Sequence, residues 1–358
     1  MVKFRNIYLL FAISTCIILL ESNMLYSQNN NDIINLDSIL FNRDFFENEE
    51  IIELNLEFDI TKFKKEKSDS IYLPATLKFH DIKNNLIEKK VRIRSRGIFR
   101  NQHCSFPPIM LNVKNADLTD GVYKGENKYK IVTHCKASKQ YENYLFKEYI
   151  AYKIWNILSD YSFKLRLTKI NYINTSKGND VFTDLAFIIE PEDVLAERLK
   201  TYPLKRDNMR YSQADSINTT IMSIFQYMIG NTDYSIGGRH NVKLLVSKDH
   251  TKPGFIPVPY DFDFSGLVNA YYARPNPDLP IKSVRERLYY GMCRSDELYY
   301  DVIDIFIEKE EEILELIYSF DLWDKKTGKL TAKYINEFYD EIKKTKFIDN
   351  RIRISCDN

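Results

Sequence analysis

The sequence predicts an α+β protein of two lobes, a β-rich first half carrying one long helix and a mostly helical second half. Three observations carry this. Stretches up to residue 135 alternate apolar and polar residues between turn-forming breaks, residues 141–158 switch to a helical period, and helical spacing dominates beyond Pro191. With 358 residues, 44% hydrophobic and 14% aromatic, the chain can bury a large core. Lys and Arg number 51 against 50 Asp and Glu, a net charge of +1, so bulk charge gives no reason to expect nucleic acid or a membrane surface as partner.

The first residues read as an export signal. Lys3 and Arg5 precede an apolar run over 7–20, and Ser27 precedes a polar stretch, the three parts of a signal peptide. That run is shorter than the roughly 20 residues that span a bilayer core, and charges interrupt every later apolar run, so no transmembrane segment is expected in the mature chain. The expected organisation is a signal peptide over 1–27, a linker over 28–44, a β-rich lobe over 45–190 and a helical lobe over 191–358. The protein is expected in the periplasm, at the cell surface or secreted. Past the leader stand Cys104, Cys135, Cys293 and Cys356, which allow three complete pairings in an oxidising compartment. Cys104 with Cys135 is the pair expected, and reduced buried thiols are the alternative. None lies in a zinc-binding pattern, and no zinc site is expected.

In chain order, IIELNLEFDI, IYLPATLKFHDI and KKVRIRSRGIFR read as strands, and PPIMLNVK and KYKIVTHC continue them, with Pro107 and Pro108 at a strand start. Leu145, Tyr149, Tyr152 and Trp155 form the apolar face of the first long helix. LRLTKINYI and VFTDLAFIIE flank the turn SKGND as a hairpin. DVLAERLK, SINTTIMSIFQYMI ended by Gly230, VIDIFIEKEEEILELIYSF and KYINEFYDEIKK read as helices. The natural cleft falls where the halves meet, near Glu190 and Pro191.

Chemistry concentrates in residues 230–267. Asp233 sits just beyond a helix end in a loop that Gly237 and Gly238 make pliable, and Asn241 opens the strand NVKLLV. The chain returns through FIPVPY to Asp261 and Asp263, whose alternation would put both carboxylates on one face of an extended segment. Carboxylate and amide oxygens suit Mg²⁺, Mn²⁺ or Ca²⁺ rather than softer metals.

This order, Asp233 to Asn241, a strand, then YDFDFSG, resembles the catalytic segment of the CotH kinase family, atypical protein-kinase-like enzymes. RIRSRG resembles the family's Arg-x-Arg-Gly element, 130–173 its strand-helix-strand, and FIIEPED its strand into the linker, so the likeness covers roughly residues 90–290. The resemblance implies a bilobal protein-kinase-like fold. It also implies an exported phosphotransferase that uses ATP with Mg²⁺ or Mn²⁺ and a protein or small molecule as hydroxyl acceptor. Asp233 would accept the proton of the attacking hydroxyl, Asn241 and Asp261 would hold the metal with Asp263 as competing ligand, and Lys130 paired with Glu148 would contact the phosphates. Lys128 is a rival for Lys130. The chain departs from ordinary kinases in two ways: no His-Arg precedes Asp233, and Gly97 stands alone where a glycine-rich phosphate loop is usual. Arg94, Arg96 and Arg100 are the substitutes expected to bind phosphate oxygens. Two other readings compete. One is a non-catalytic surface protein with Ca²⁺ on the same acids, and the other is a metal-dependent phosphoester hydrolase in which Asp233 activates water. His240 reads as a loop residue.

Overall fold

The computed structural model describes residues 43–80, 84–113, 128–178, 180–252 and 254–356; the expected signal peptide, and the linker as far as residue 42, lie outside them. Met1–Glu47 and Asn48–Asn358 are separate compact units. Of the first, helix α1 (Arg43–Glu47) is described, with the Phe45 and Phe46 rings edge to face at 4.9 Å.

In the second unit the strands read from alternation are present. They are β1 (Ile52–Phe58), β2 (Leu73–His80), β3 (Leu86–Ser95), β4 (Ile109–Asn112), β5 (Lys128–Val132), β6 (Leu165–Asn174) and β7 (Asp180–Ile189). They close into a barrel in the order β1-β2-β3-β4-β5-β7-β6. Neighbours are antiparallel except β1 and β6, which run parallel with Leu54 opposite Ile170 and Leu56 opposite Tyr172. This closed, mixed barrel overturns the expected bilobal protein-kinase-like fold. Alternation reports which side chains face inward, but it does not report which strands pair, and the pairing of β1 with β6 seals the sheet across more than a hundred residues of chain. Leu54, Leu56, Phe58, Leu77, Ile93, Ile109 and Ile170 are buried. Removing each such side chain from water contributes about 1.5–3 kcal/mol.

Two short helices interrupt the β-rich region, α2 (Ile60–Glu66) and α3 (Ile98–His103). The strand read through Arg100 in fact stops at Ser95, because Gly97 (φ 82°) turns the chain into α3. Helix α4 (Lys139–Leu158) is N-capped by Ser138, whose side chain accepts the Tyr141 N–H, and buries Leu145, Tyr149, Tyr152 and Trp155 as its spacing predicts. Phe146, Ile150 and Ile154 are buried as well, so the helix is enclosed on more than one face.

After α5 (Glu192–Arg198) comes β8 (Thr201–Pro203), which with β9 (Val242–Ser247) and β10 (Ile256–Pro259) forms an antiparallel sheet in the order β10-β9-β8. Helix α6 (Ser216–Ile229) is capped by Asp215 and ends on Gly230 in the left-handed conformation, as expected. The helix read over 302–320 is two helices, α7 (Asp296–Glu308) and α8 (Glu310–Ser319), and α9 (Lys325–Ile342) follows. One apolar core joins α4, β6, β7, α6, β9 and α7 to α9. Cys104 is bonded to Cys135, as expected, and Cys293 to Cys356. Among the described residues no helix is long and apolar enough to cross a membrane.

Candidate functional site

The Asp233 loop is shaped by its own polar side chains. Buried Asn231 donates to Gln226 Oε1 at 2.9 Å, and its Oδ1 accepts the Asp233 N–H at 3.1 Å, which fixes the first turn after α6. Paired backbone bonds between Ser235 and His240, both 2.9 Å, close the loop and bring His240 and Asn241 back to Asp233. Asn241 Nδ2 donates to Asp233 O at 2.8 Å and Oδ2 at 3.0 Å, while His240 Nε2 lies 3.0 Å from Asp233 Oδ1. With its amide nitrogen engaged, Asn241 has its carbonyl oxygen to offer a cation. The tight geometry falls on Arg239 (φ 48°) and Asn241 (φ 51°) rather than on Gly237 or Gly238. Non-glycine residues in this region cluster at functional sites.

The loop is backed by close packing. Gly266 N–H donates to Gly230 O at 3.0 Å, and a β-carbon on either residue would lie within 2.5 Å of the Tyr334 hydroxyl of α9. Only glycine fits both places.

Asp261 reaches the same neighbourhood through β10. The Tyr260 N–H donates to Asn241 O at 2.9 Å, so the ends of β9 and β10 carry Asn241 and Asp261 side by side. Asp261 has φ 65° and donates its N–H to the Tyr152 hydroxyl of α4 at 2.8 Å. Phe262, fully buried, inserts between Tyr152 and Phe225, with centroids 4.6 and 5.4 Å away. The left-handed turn corrects the expectation that Asp261 and Asp263 share one face of an extended chain, since alternation holds only in extended backbone. Asp263 is buried and accepts from Arg100 Nε at 2.9 Å and from the Tyr272 hydroxyl at 3.0 Å.

Arg100 also donates to Glu148 Oε2 at 2.5 Å. The expected pairing of Lys130 with Glu148 is therefore replaced, and Arg100 is committed to two carboxylates rather than free for phosphate. Burial pushes Glu148 up to about 8 against the pull of Arg100, and Asp263 and Asp261 add repulsion. Its Oε1 is buried with no hydrogen-bond partner. Burial also raises Asp263. Two carboxylates thus share one guanidinium and favour retention of a proton.

Lys130 lies on β5 with Nζ 4.4 Å from the Tyr260 ring centroid, and Lys243 Nζ approaches the same ring at 5.6 Å. Burial lowers Lys130 to about 7; Arg96 and Lys243 lower it further, while Asp261 and Glu192 oppose them. Arg96, Lys243 and Asp261 are thus close enough to act on Lys130. Arg94 points elsewhere, with Nη1 on Ser95 O and its guanidinium over Tyr72. Among the described residues no group of three or more His, Cys, Asp or Glu side chains is placed to hold a metal ion. The oxygens on offer are those of Asn241 and Asp261, a small set of the kind that Mg²⁺ takes when substrate phosphates and water complete its shell.

A cavity of about 220 Å³ opens at Asp233, with Thr232, His240, Phe264, Arg274 and Tyr290 in its wall. Sequence reasoning missed Lys243 and Tyr260 as members of the site, took Arg100 for a phosphate ligand rather than a partner of Asp263 and Glu148, and left His240 as a loop residue. Their partners are fixed by tertiary pairing, and only the adjacency of His240 to Asn241 gave any local sign.

No family model matches the chain, and no curated protein matches it either. Among solved structures, that of the Helicobacter pylori proinflammatory kinase CtkA aligns over 65% of this chain and 88% of its own, at 12% identity and a TM-score of 0.34.

Proposed function

We propose that the chain is an exported phosphotransferase that moves the terminal phosphoryl group of a metal-bound nucleotide, ATP with Mg²⁺ or Mn²⁺, to a hydroxyl acceptor. The observation that carries this reading is the 3.0 Å hydrogen bond from Asn241 to Asp233, together with the Asn241–Tyr260 backbone bond that sets Asp261 alongside. The order of those residues also resembles that of the CotH kinases. The cation supplies charge neutralisation on the phosphates when bound, and the oxygens of Asn241 and Asp261 are the ones to hold it. Asp233 takes the proton of the acceptor hydroxyl as its oxygen attacks the terminal phosphorus and the bond to the leaving diphosphate breaks. The bond from His240 Nε2 and that from Asn241 Nδ2 keep the Asp233 carboxylate aimed. Lys130, with Arg96 and Lys243 nearby, meets the phosphate charge. The two disulfides suit an oxidising compartment outside the cytoplasm.

The test is incubation of the purified chain with terminally labelled ATP and Mn²⁺. Label on the protein or on an added hydroxyl acceptor, lost in Asp233→Asn, supports the reading, and no label in the wild type overturns it. A second reading has one observation in its favour: His240, paired with Asp233, has a side chain 60% exposed and open to water, as a phosphoester hydrolase would use. Release of free phosphate without acceptor labelling marks that outcome.

A further inference from the structure

We infer that the cavity in front of Asp233 is an acceptor subsite selective for a serine or threonine set in an acidic peptide segment. This rests on the phosphotransfer reading above. At about 220 Å³ the cavity is smaller than the roughly 300 Å³ at which pockets begin to enclose a whole small ligand, so it suits one side chain of a larger molecule. Asp233 forms part of its wall, which puts the proton acceptor beside whatever hydroxyl enters.

The wall contains one permanently cationic side chain, Arg274. Its Nη1 is anchored on two backbone carbonyls, Tyr271 O at 2.7 Å and Ala273 O at 2.8 Å. Its Nε and Nη2 have no acceptor among the described residues. A guanidinium fixed at one nitrogen and free at two others is preorganised for a carboxylate. Asp233 is already satisfied by His240 and Asn241, so Arg274 has no acid of the wall to neutralise it.

The surface beside the cavity fits a polypeptide. Phe264 belongs to the wall and touches Phe99 at 5.4 Å and Tyr272 at 5.7 Å. Tyr271 and His103 continue this aromatic face, with Tyr271 52% and Phe99 39% exposed. Residues flanking the acceptor have a platform there, whereas a free small molecule would leave it bare.

Fluorescence anisotropy of the full chain with three labelled peptides tests this, each peptide holding one serine flanked by Glu, by Gln or by Lys. The Glu peptide is expected to bind about tenfold or more tighter than the Gln peptide, as expected for one charge-assisted hydrogen bond. The preference shrinks as salt rises, disappears in Arg274→Gln and returns in part in Arg274→Lys. Equal binding of the Glu and Gln peptides, no binding of any, or an unchanged preference in Arg274→Gln overturns the inference. Should Arg274→Gln melt below the wild type, Asn276→Asp, which adds a like charge to the same wall, serves instead and must weaken the Glu peptide selectively. Binding is read without turnover, so a failure here is distinct from a failure of phosphate transfer, which the labelling assay reads.

Discussion

Arg100 and Glu148 form an ion pair of 2.5 Å in which the arginine comes from a helix that the sequence reads as strand and the glutamate from the first long helix. The same guanidinium holds Asp263 at 2.9 Å. Arg100→Met leaves two buried carboxylates without their counter-ion. The expected loss is about 3–5 kcal/mol, read by denaturant unfolding. Replacing only Glu148 by Gln is expected to cost far less.

The same group predicts a pH dependence. Glu148 is raised to about 8 in the folded protein, chiefly by burial, so folding takes up a proton above the ordinary carboxylate range. The stability it contributes is present when the group is protonated in both states, below about pH 4.5. It is lost as pH rises towards 8. Melting curves between pH 5 and 8 are expected to fall less steeply in Glu148→Gln than in the wild type.

Lys130 behaves in the opposite sense. Burial depresses it to about 7, so between that pH and the ordinary lysine range folding expels a proton and stability rises with pH. Lys130→Met removes this cost and is expected to raise the melting temperature at neutral pH by roughly 2–5 °C while abolishing nucleotide binding. In the wild type, phosphate oxygens favour the ammonium, so nucleotide affinity strengthens as pH falls from 8 to 7. Calorimetry in buffers of different ionisation enthalpy reads the proton taken up.

Asp233 and Asp261 separate by phenotype. Asp233→Asn is expected to lower the transfer rate by about 10²–10⁴ while nucleotide affinity is kept. Asp261→Ala is expected to weaken binding of the metal-bound nucleotide as well, read by titration with Mn²⁺ and nucleotide.

The bond between Cys104 and Cys135 spans a sequence separation of 31 residues that includes β4 and β5. Cys104→Ser with Cys135→Ser is expected to cost about 3–4 kcal/mol, visible as a lower denaturation midpoint, and a reductant is expected to have no further effect at this bond.

Much of the secondary structure was legible because it is written locally. Gly230 ends its helix through a conformation open to glycine, Asp215 caps the same helix, and the alternation of LRLTKINYI marks a strand wherever that strand lies. Barrel closure was not legible, because the partner of β1 is β6 and nothing local in Leu54 specifies Ile170. The same limit hid what Arg100 binds, since the sequence reads it as a phosphate ligand. Its partners stand 48 and 163 residues away, and the spacing of Lys130 and Glu148 fits their pairing equally well until a nearer cation takes the glutamate. The closeness of Asn241 to Asp233 was readable from their order around one loop. The left-handed turns that orient Asn241 and Asp261 were not, since Asn and Asp adopt them only where the surrounding packing demands it.

Tyr334, which presses on the two glycines behind the Asp233 loop, stands on α9, 101 residues beyond Asp233 in the chain. A nascent chain that has already made Asp233, Asn241 and Asp261 still lacks the hydroxyl that seats the loop. The loop therefore takes its final seat only once α9 has been made and has packed behind it.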